Sequence, residues 1–167
     1  KHSHLILRHR VMELVDGEEN TGLSGRILAS AARAAHKLGY DDLALELAVT
    51  TVRHDPSRSE AVALVESLAE GDRGLAALNI VYDLLADAAL GRYGIRAAHY
   101  RGARQLEERG AYHDALRHAI IAFEAVPGVG ASFMLLQRLA RQAGDEGAAV
   151  RTLTGVATAF PTDQQVV

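Results

Sequence analysis

Three arginines share one offset in this chain: Arg33, Arg104 and Arg138 each stand six residues before a glycine, at Gly39, Gly110 and Gly144. A guanidinium carries a planar fork of donors that matches a carboxylate, so arginines repeated at one register would bind acidic groups. Lys37 falls on the first of these stretches, and Arg101 and Arg141 lie three residues from Arg104 and Arg138, a spacing that puts both members of each pair near one side of a helix. If the three stretches are neighbouring helices, packed roughly 8–10 Å apart, the row lies within about one Debye length of itself and is mildly self-repelling. An acidic ligand relieves that repulsion. Arg33, Lys37, Arg101, Arg104, Arg138 and Arg141 are therefore the candidate peptide-binding residues. The competing reading is a set of solvated arginines whose stems cover an alanine-rich surface. Val65 interrupts the row, and Glu107 and Glu108 are close enough in sequence to neutralise Arg104 internally.

Histidine is the other residue type with chemistry to offer. His2, His4 and His9 could converge on a metal at one end of the chain, but this group has no carboxylate partner. His113-Asp114 resembles the paired His-Asp of metal-dependent phosphohydrolases, which are also all-helical, with His99 and Asp145 as conceivable further members. Asp114 equally fits the ordinary preference for acids in a first helical turn, and Asp41, Asp42, Asp145 and Glu146 read the same way. There is no phosphate-cradling glycine loop, nucleophile elbow or dinucleotide fingerprint, and GVG at 128–130 reads as a linker. No catalytic residue, metal or cofactor is assigned from the sequence.

The elements that must position these residues follow from a recurring phrase: a glycine, an alanine five residues on, and a proline seventeen residues after the glycine. It reads Gly39, Ala44, Pro56, then Gly110, Ala115, Pro127, then Gly144, Ala149, Pro161, the last two copies displaced by 34 residues. That period is diagnostic of stacked helical hairpins. The glycines should end the first helix of each pair, the prolines should stop the second, and the alanines should sit where the two helices cross. The spacing predicts helix pairs at about 25–37 and 41–54, 58–69 and 73–89, 96–108 and 112–125, 131–142 and 146–159. A first helix from about Leu5 to Val15 precedes them, followed by a loop over Asp16 to Gly25. The second pair is irregular: Gly71 and Ala76 keep the phrase, but Ala88 replaces the proline, and the helix is expected to run on to Leu90 before GRYG.

The units SGRILASAARAAHKLGYDDLALELAVTTVRHDP, YRGARQLEERGAYHDALRHAIIAFEAVP and SFMLLQRLARQAGDEGAAVRTLTGVATAFP resemble the tetratricopeptide repeat family over about Gly25 to Thr162. Gly110, Tyr112, Ala115, Ala119, Ala122 and Pro127 keep its pattern well; the large aromatic usual in the first helix is replaced by Ala35, Leu106 and Ala140. The resemblance implies an all-α fold, an α-solenoid of about four antiparallel hairpins plus an N-terminal helix, whose first helices line a concave groove for an extended peptide or a partner's helix. It divides the chain into 1–24, an incomplete repeat or cap, and 25–167, the repeats at 25–58, 59–95, 96–129 and 130–163. The lysine and asparagine set by which chaperone-binding members hold a C-terminal carboxylate is absent.

Composition agrees with a folded chain of 167 residues, 49% apolar, 23% charged and 5% aromatic. The net charge of -3 gives no general attraction to nucleic acid or to an anionic membrane. The absence of cysteine suits a reducing compartment such as the cytoplasm. No apolar run approaches the roughly 18 residues of a membrane span, and the opening KHSHLILRHR does not read as a secretory signal. The expected function is a non-enzymatic interaction module or scaffold that binds an acidic or extended protein segment. Two alternatives stand beside it. One is a regulatory or self-associating segment of a larger multidomain enzyme or regulator, suggested by a start at Lys1 rather than Met, an incomplete first unit, and repeat ends uncapped enough to form a homo-oligomer. The other is the all-helical metal-dependent phosphohydrolase.

Overall fold

Every helix that the repeated phrase predicts is present, several with shifted ends. The computed structural model describes residues 3–16 and 21–159, and the side chains of 5–15 and 23–159. Among them are nine α-helices and no strand: α1 Ser3–Asp16, α2 Thr21–Lys37, α3 Asp41–His54, α4 Ser59–Leu68, α5 Gly71–Asp87, α6 Gly91–Glu107, α7 Tyr112–Ala125, α8 Gly130–Gln142 and α9 Glu146–Ala159. They fall into two compact units, Lys1–Ala88 with α1 to α5 and Ala89–Val167 with α6 to α9. In the first, α2 packs along α3, α3 packs on α4 and α5, α4 on α5, and α1 on α2. In the second, α6 packs along α7, α7 on α8 and α9, and α8 on α9. No helix among the described residues is long and apolar enough to cross a membrane.

Three hairpins close by one device. After α2, the Tyr40 N–H donates back to the Ala35 carbonyl at 2.9 Å and the Gly39 N–H to that of His36 at 2.9 Å. The same two bonds recur from Ala111 to Leu106 and Gly110 to Glu107, and from Asp145 to Ala140 and Gly144 to Arg141. This closure needs a left-handed residue, and Gly39, Gly110 and Gly144 take φ of 76°, 73° and 71°. The outer acceptors are Ala35, Leu106 and Ala140, all buried, so the residues four before each glycine anchor the turn to the core. Five residues past each glycine, Ala44 and Ala115 are completely buried and Ala149 nearly so, as a close crossing demands. Pro56 and Pro127 each follow a helix end by two residues, while Pro161 lies outside the described residues.

The α4–α5 hairpin departs from this scheme. Its glycine does not close α4: the Glu70 N–H bonds the Leu68 carbonyl at 2.8 Å in a tight turn centred on Ala69, and Gly71, φ 61°, opens α5. The small residue at the contact is Gly74, where a Cβ would fall 2.6 Å from the Ala69 carbonyl carbon. Ala76, expected at the crossing, is exposed. A turn reshaped at Gly71 advances the contact along α5, so the five-residue offset no longer marks it.

Two other expectations need correction. The polar stretch read as a loop to Gly25 is already helical from Thr21, and Gly25 is buried with its α-carbon facing Asp55, whose Cβ would lie 3.0 Å from an added methyl. GRYG is the first turn of α6, because α5 ends at Asp87 and not at Leu90. A Cβ on Gly94 would meet that of Ala89 at 2.9 Å. In both places glycine was taken as a helix breaker when it serves close approach inside a helix.

Candidate functional site

The arginine face of the second unit is built by α6 and α8. Arg104 and Arg138 point outward from helices whose buried stripes run through Ala103 and Leu106 on α6 and Leu135, Leu136 and Leu139 on α8. Both reach one carboxylate. Arg138 donates from Nε to Glu107 Oε1 at 2.7 Å and from Nη2 to Oε2 at 2.8 Å, a two-pronged bridge between the helices. Arg104 lies 3.7 Å from Glu107 Oε2 and 3.7 Å from Glu108 Oε1. The hydrogen bonds that Arg138 donates to Glu107 hold its guanidinium above its ordinary pKa, fixing its charge. Glu107 is largely covered, its side chain 13% exposed, while the two arginines remain half exposed, so the cationic edges stay open to solvent around a buried anionic centre.

The other candidates take varied places. Arg101 is exposed on α6, three residues before Arg104. Arg141 is exposed on α8 and lines a shallow cleft between α8 and α9 with Gln137, Val150 and Leu153. Met134, 63% exposed, precedes Arg138 by four residues on the same helix. Arg33 and Lys37 are exposed on α2 in the first unit, where Arg33 reaches Ser30 Oγ at 3.4 Å.

The histidines and acids named for a metal site take separate places. His113 and Asp114 are exposed in the first turn of α7. Asp145 accepts the Ala148 N–H at 3.1 Å, capping α9, and takes Arg151 at 2.9 Å. His9 is exposed and pairs with Glu13 at 3.3 Å; His2 and the His4 side chain lie outside the described residues.

His99 is instead buried between α6 and α7 against His118, a residue that sequence reasoning did not single out. Their Nδ1 atoms are 2.7 Å apart and their rings 4.9 Å between centroids. Arg117 Nη2 lies 2.9 Å from His118 Nε2. A guanidinium only donates, so His118 Nε2 accepts and its Nδ1 carries the proton that it gives to His99 Nδ1. That directional chain fixes both tautomers and joins the two helices. The available signal was register: His99 shares the α6 stripe of Ala103 and Leu106, and His118 the α7 stripe of Ala115, Ala119 and Ala122.

Comparison with known proteins adds no relative: no protein-family model, no curated protein and no solved structure matches the chain.

Proposed function

We propose that this chain is a non-enzymatic protein-interaction module, a tetratricopeptide-like array of helical hairpins whose arginine face grips an acidic, extended segment of another protein. The observation that carries this reading is the convergence of Arg104 and Arg138, from two helices, on the single carboxylate of Glu107. A surface that already seats one carboxylate in the fork of Arg138, with Arg104 at ion-pair distance, has the donors to seat another. Arg101 and Arg141 extend the face along α6 and α8, and the cleft beside Arg141 gives apolar side chains of the ligand a place next to Val150 and Leu153. Glu107 acts as the resident occupant, and an incoming acid exchanges with it or adds to the exposed edges. Within each unit successive helices pack on one another, α1 to α5 in the first and α6 to α9 in the second, with second-neighbour contacts between α2 and α4, α3 and α5, and α7 and α9, and this supports a repeat arrangement. On α2 of the first unit, Arg33 holds the same offset from its glycine as Arg104 and Arg138.

The test is a fluorescence anisotropy titration of the chain with labelled acidic peptides at low and high salt, beside an Arg104→Glu, Arg138→Glu variant. The expected result is salt-sensitive binding that weakens by about tenfold or more on reversal, the scale of losing one to two charge-assisted contacts. Equal binding by both proteins, or none by the unmodified chain, overturns the arginine face.

A further inference from the structure

A second surface, in the first unit, is built differently. Helices α3 and α5 lie side by side with their N-terminal ends together, as the bridge from Arg73 to Asp42 at 2.9 Å requires, and leave a groove of about 560 Å³ between them. Its walls carry an apolar lining: Leu45 and Val49 come from α3, and Ala76 and Ile80 from α5. Ile80 is 41% exposed, and Ala76 is the alanine that the hairpin crossing does not use, so the groove is open where a larger side chain would fill it. Its rim is charged: Asp42 and Arg73 neutralise each other at the N-terminal end, and along α3 the remaining charges are Glu46 and, seven residues on, Arg53.

That order selects the occupant. A helix entering the groove antiparallel to α3 must bring an acid near its own N-terminal end to meet Arg53, a base near its C-terminal end to meet Glu46, and small or apolar residues between. Helix α3 has this pattern itself, with Glu46 and Arg53 placed symmetrically about Val49 and Thr50, roughly 10 Å apart along the axis. A parallel approach would set Glu46 against Glu46 and Arg53 against Arg53. A two-fold arrangement is self-complementary in charge, and its helix dipoles are opposed.

We propose that the α3/α5 groove binds a second copy of this chain, with the two α3 helices antiparallel about a two-fold axis near Val49 and Thr50 and Glu46 of each copy facing Arg53 of the other. Glu46 then bridges Arg53 of the second copy and its own Arg8, which it already holds at 2.7 Å. The apolar centre supplies the association, and the ordered charges select the antiparallel register. This surface is distinct from the arginine face and from the repeat ends where self-association was expected.

Sedimentation of the full chain over a concentration series tests it, with circular dichroism confirming that each variant folds. The expected result is a monomer–dimer equilibrium that Arg53→Glu alone and Glu46→Arg alone each weaken by about tenfold or more. Mixing those two variants should restore dimers, because each charge pair is then satisfied in the mixed species. Ile80→Asp, at an exposed position, should abolish association without unfolding the chain. A monomer at every concentration overturns the proposal and frees the groove for the helix of another protein. A dimer indifferent to Ile80→Asp, or single variants that do not recover on mixing, overturns it equally.

Discussion

The α6–α7 and α4–α5 hairpins carry the same sequence phrase, a glycine followed five residues later by an alanine, and fold to different contacts. At α6–α7 the left-handed Gly110 closes the first helix and Ala115 is completely buried where the second crosses it. At α4–α5 the left-handed Gly71 opens the second helix, Gly74 takes the contact, and Ala76 faces solvent on the wall of a groove. The offset of five is thus a property of the closure and not of the glycine. Where the turn changes, the small residue required at the contact moves, and the alanine left behind is released for another use.

The comparison breaks most sharply with a pair of identical substitutions. Ala115→Phe forces a ring into a contact with no free space and should destabilise the chain by about 3 kcal/mol or more. Ala76→Phe, measured by denaturant titration of dilute protein, should change stability by less than about 0.5 kcal/mol. If both were equally damaging, Ala76 would be a crossing residue after all and the two hairpins would be alike.

A second substitution separates two jobs of glycine. Gly74→Ala places a methyl 2.6 Å from the carbonyl carbon of Ala69, a backbone atom held by the α4–α5 turn. Either the turn or the helix must move, at a cost of about 1–3 kcal/mol. Gly110→Ala meets nothing within 4 Å and suffers only the left-handed backbone, about 1–2 kcal/mol. Thermal melts of the two variants should therefore place Gly74→Ala at or below Gly110→Ala; the reverse order would mean that the α4–α5 turn yields easily.

These differences explain which parts of the fold were legible. The closures at Gly39, Gly110 and Gly144 involve residues within five positions of one another, so the helix ends they set can be read from neighbours in the chain. The contact at Gly74 depends on how the turn at Ala69 folds back, and the phrase was matched there by Gly71 and Ala76, which do other work. GRYG was misread because two glycines suggest a break until Gly94 is seen against Ala89. At the candidate site, sequence reasoning placed Glu107 near Arg104, three residues away, but not its two-pronged hold on Arg138, which depends on a helix 31 residues further on. The pairing of His99 with His118 is likewise a product of helix packing, and only the shared apolar stripes hinted that both were inside.

The proline-marked connections between hairpins offer the finest contrast. In the α3–α4 connection Asp55 Oδ1 accepts the Ser57 hydroxyl at 2.5 Å and the Ser57 N–H at 3.2 Å, and Oδ2 accepts Arg58 Nε at 2.8 Å. The α7–α8 connection runs through Val126, Pro127, Gly128 and Val129, with no ionisable side chain. The Ser57 hydroxyl, with smaller help from Arg58 and against the opposing effect of burial, holds Asp55 below the ordinary carboxylate pKa. A group whose folded pKa is depressed stabilises the fold above its unfolded pKa, and that contribution is lost as pH falls through the folded value. Asp55→Asn should therefore lower stability by about 1 kcal/mol at neutral pH. The gap between variant and unmodified chain should begin to shrink as pH falls below about 4, the ordinary carboxylate value, and close only below the depressed folded value, where both carry a neutral side chain at 55. Parallel denaturant titrations from neutral to acid pH measure that gap directly. A gap that persists undiminished in acid would mean that the turn is held by shape alone, and the two connections would then differ in composition without differing in how they are stabilised.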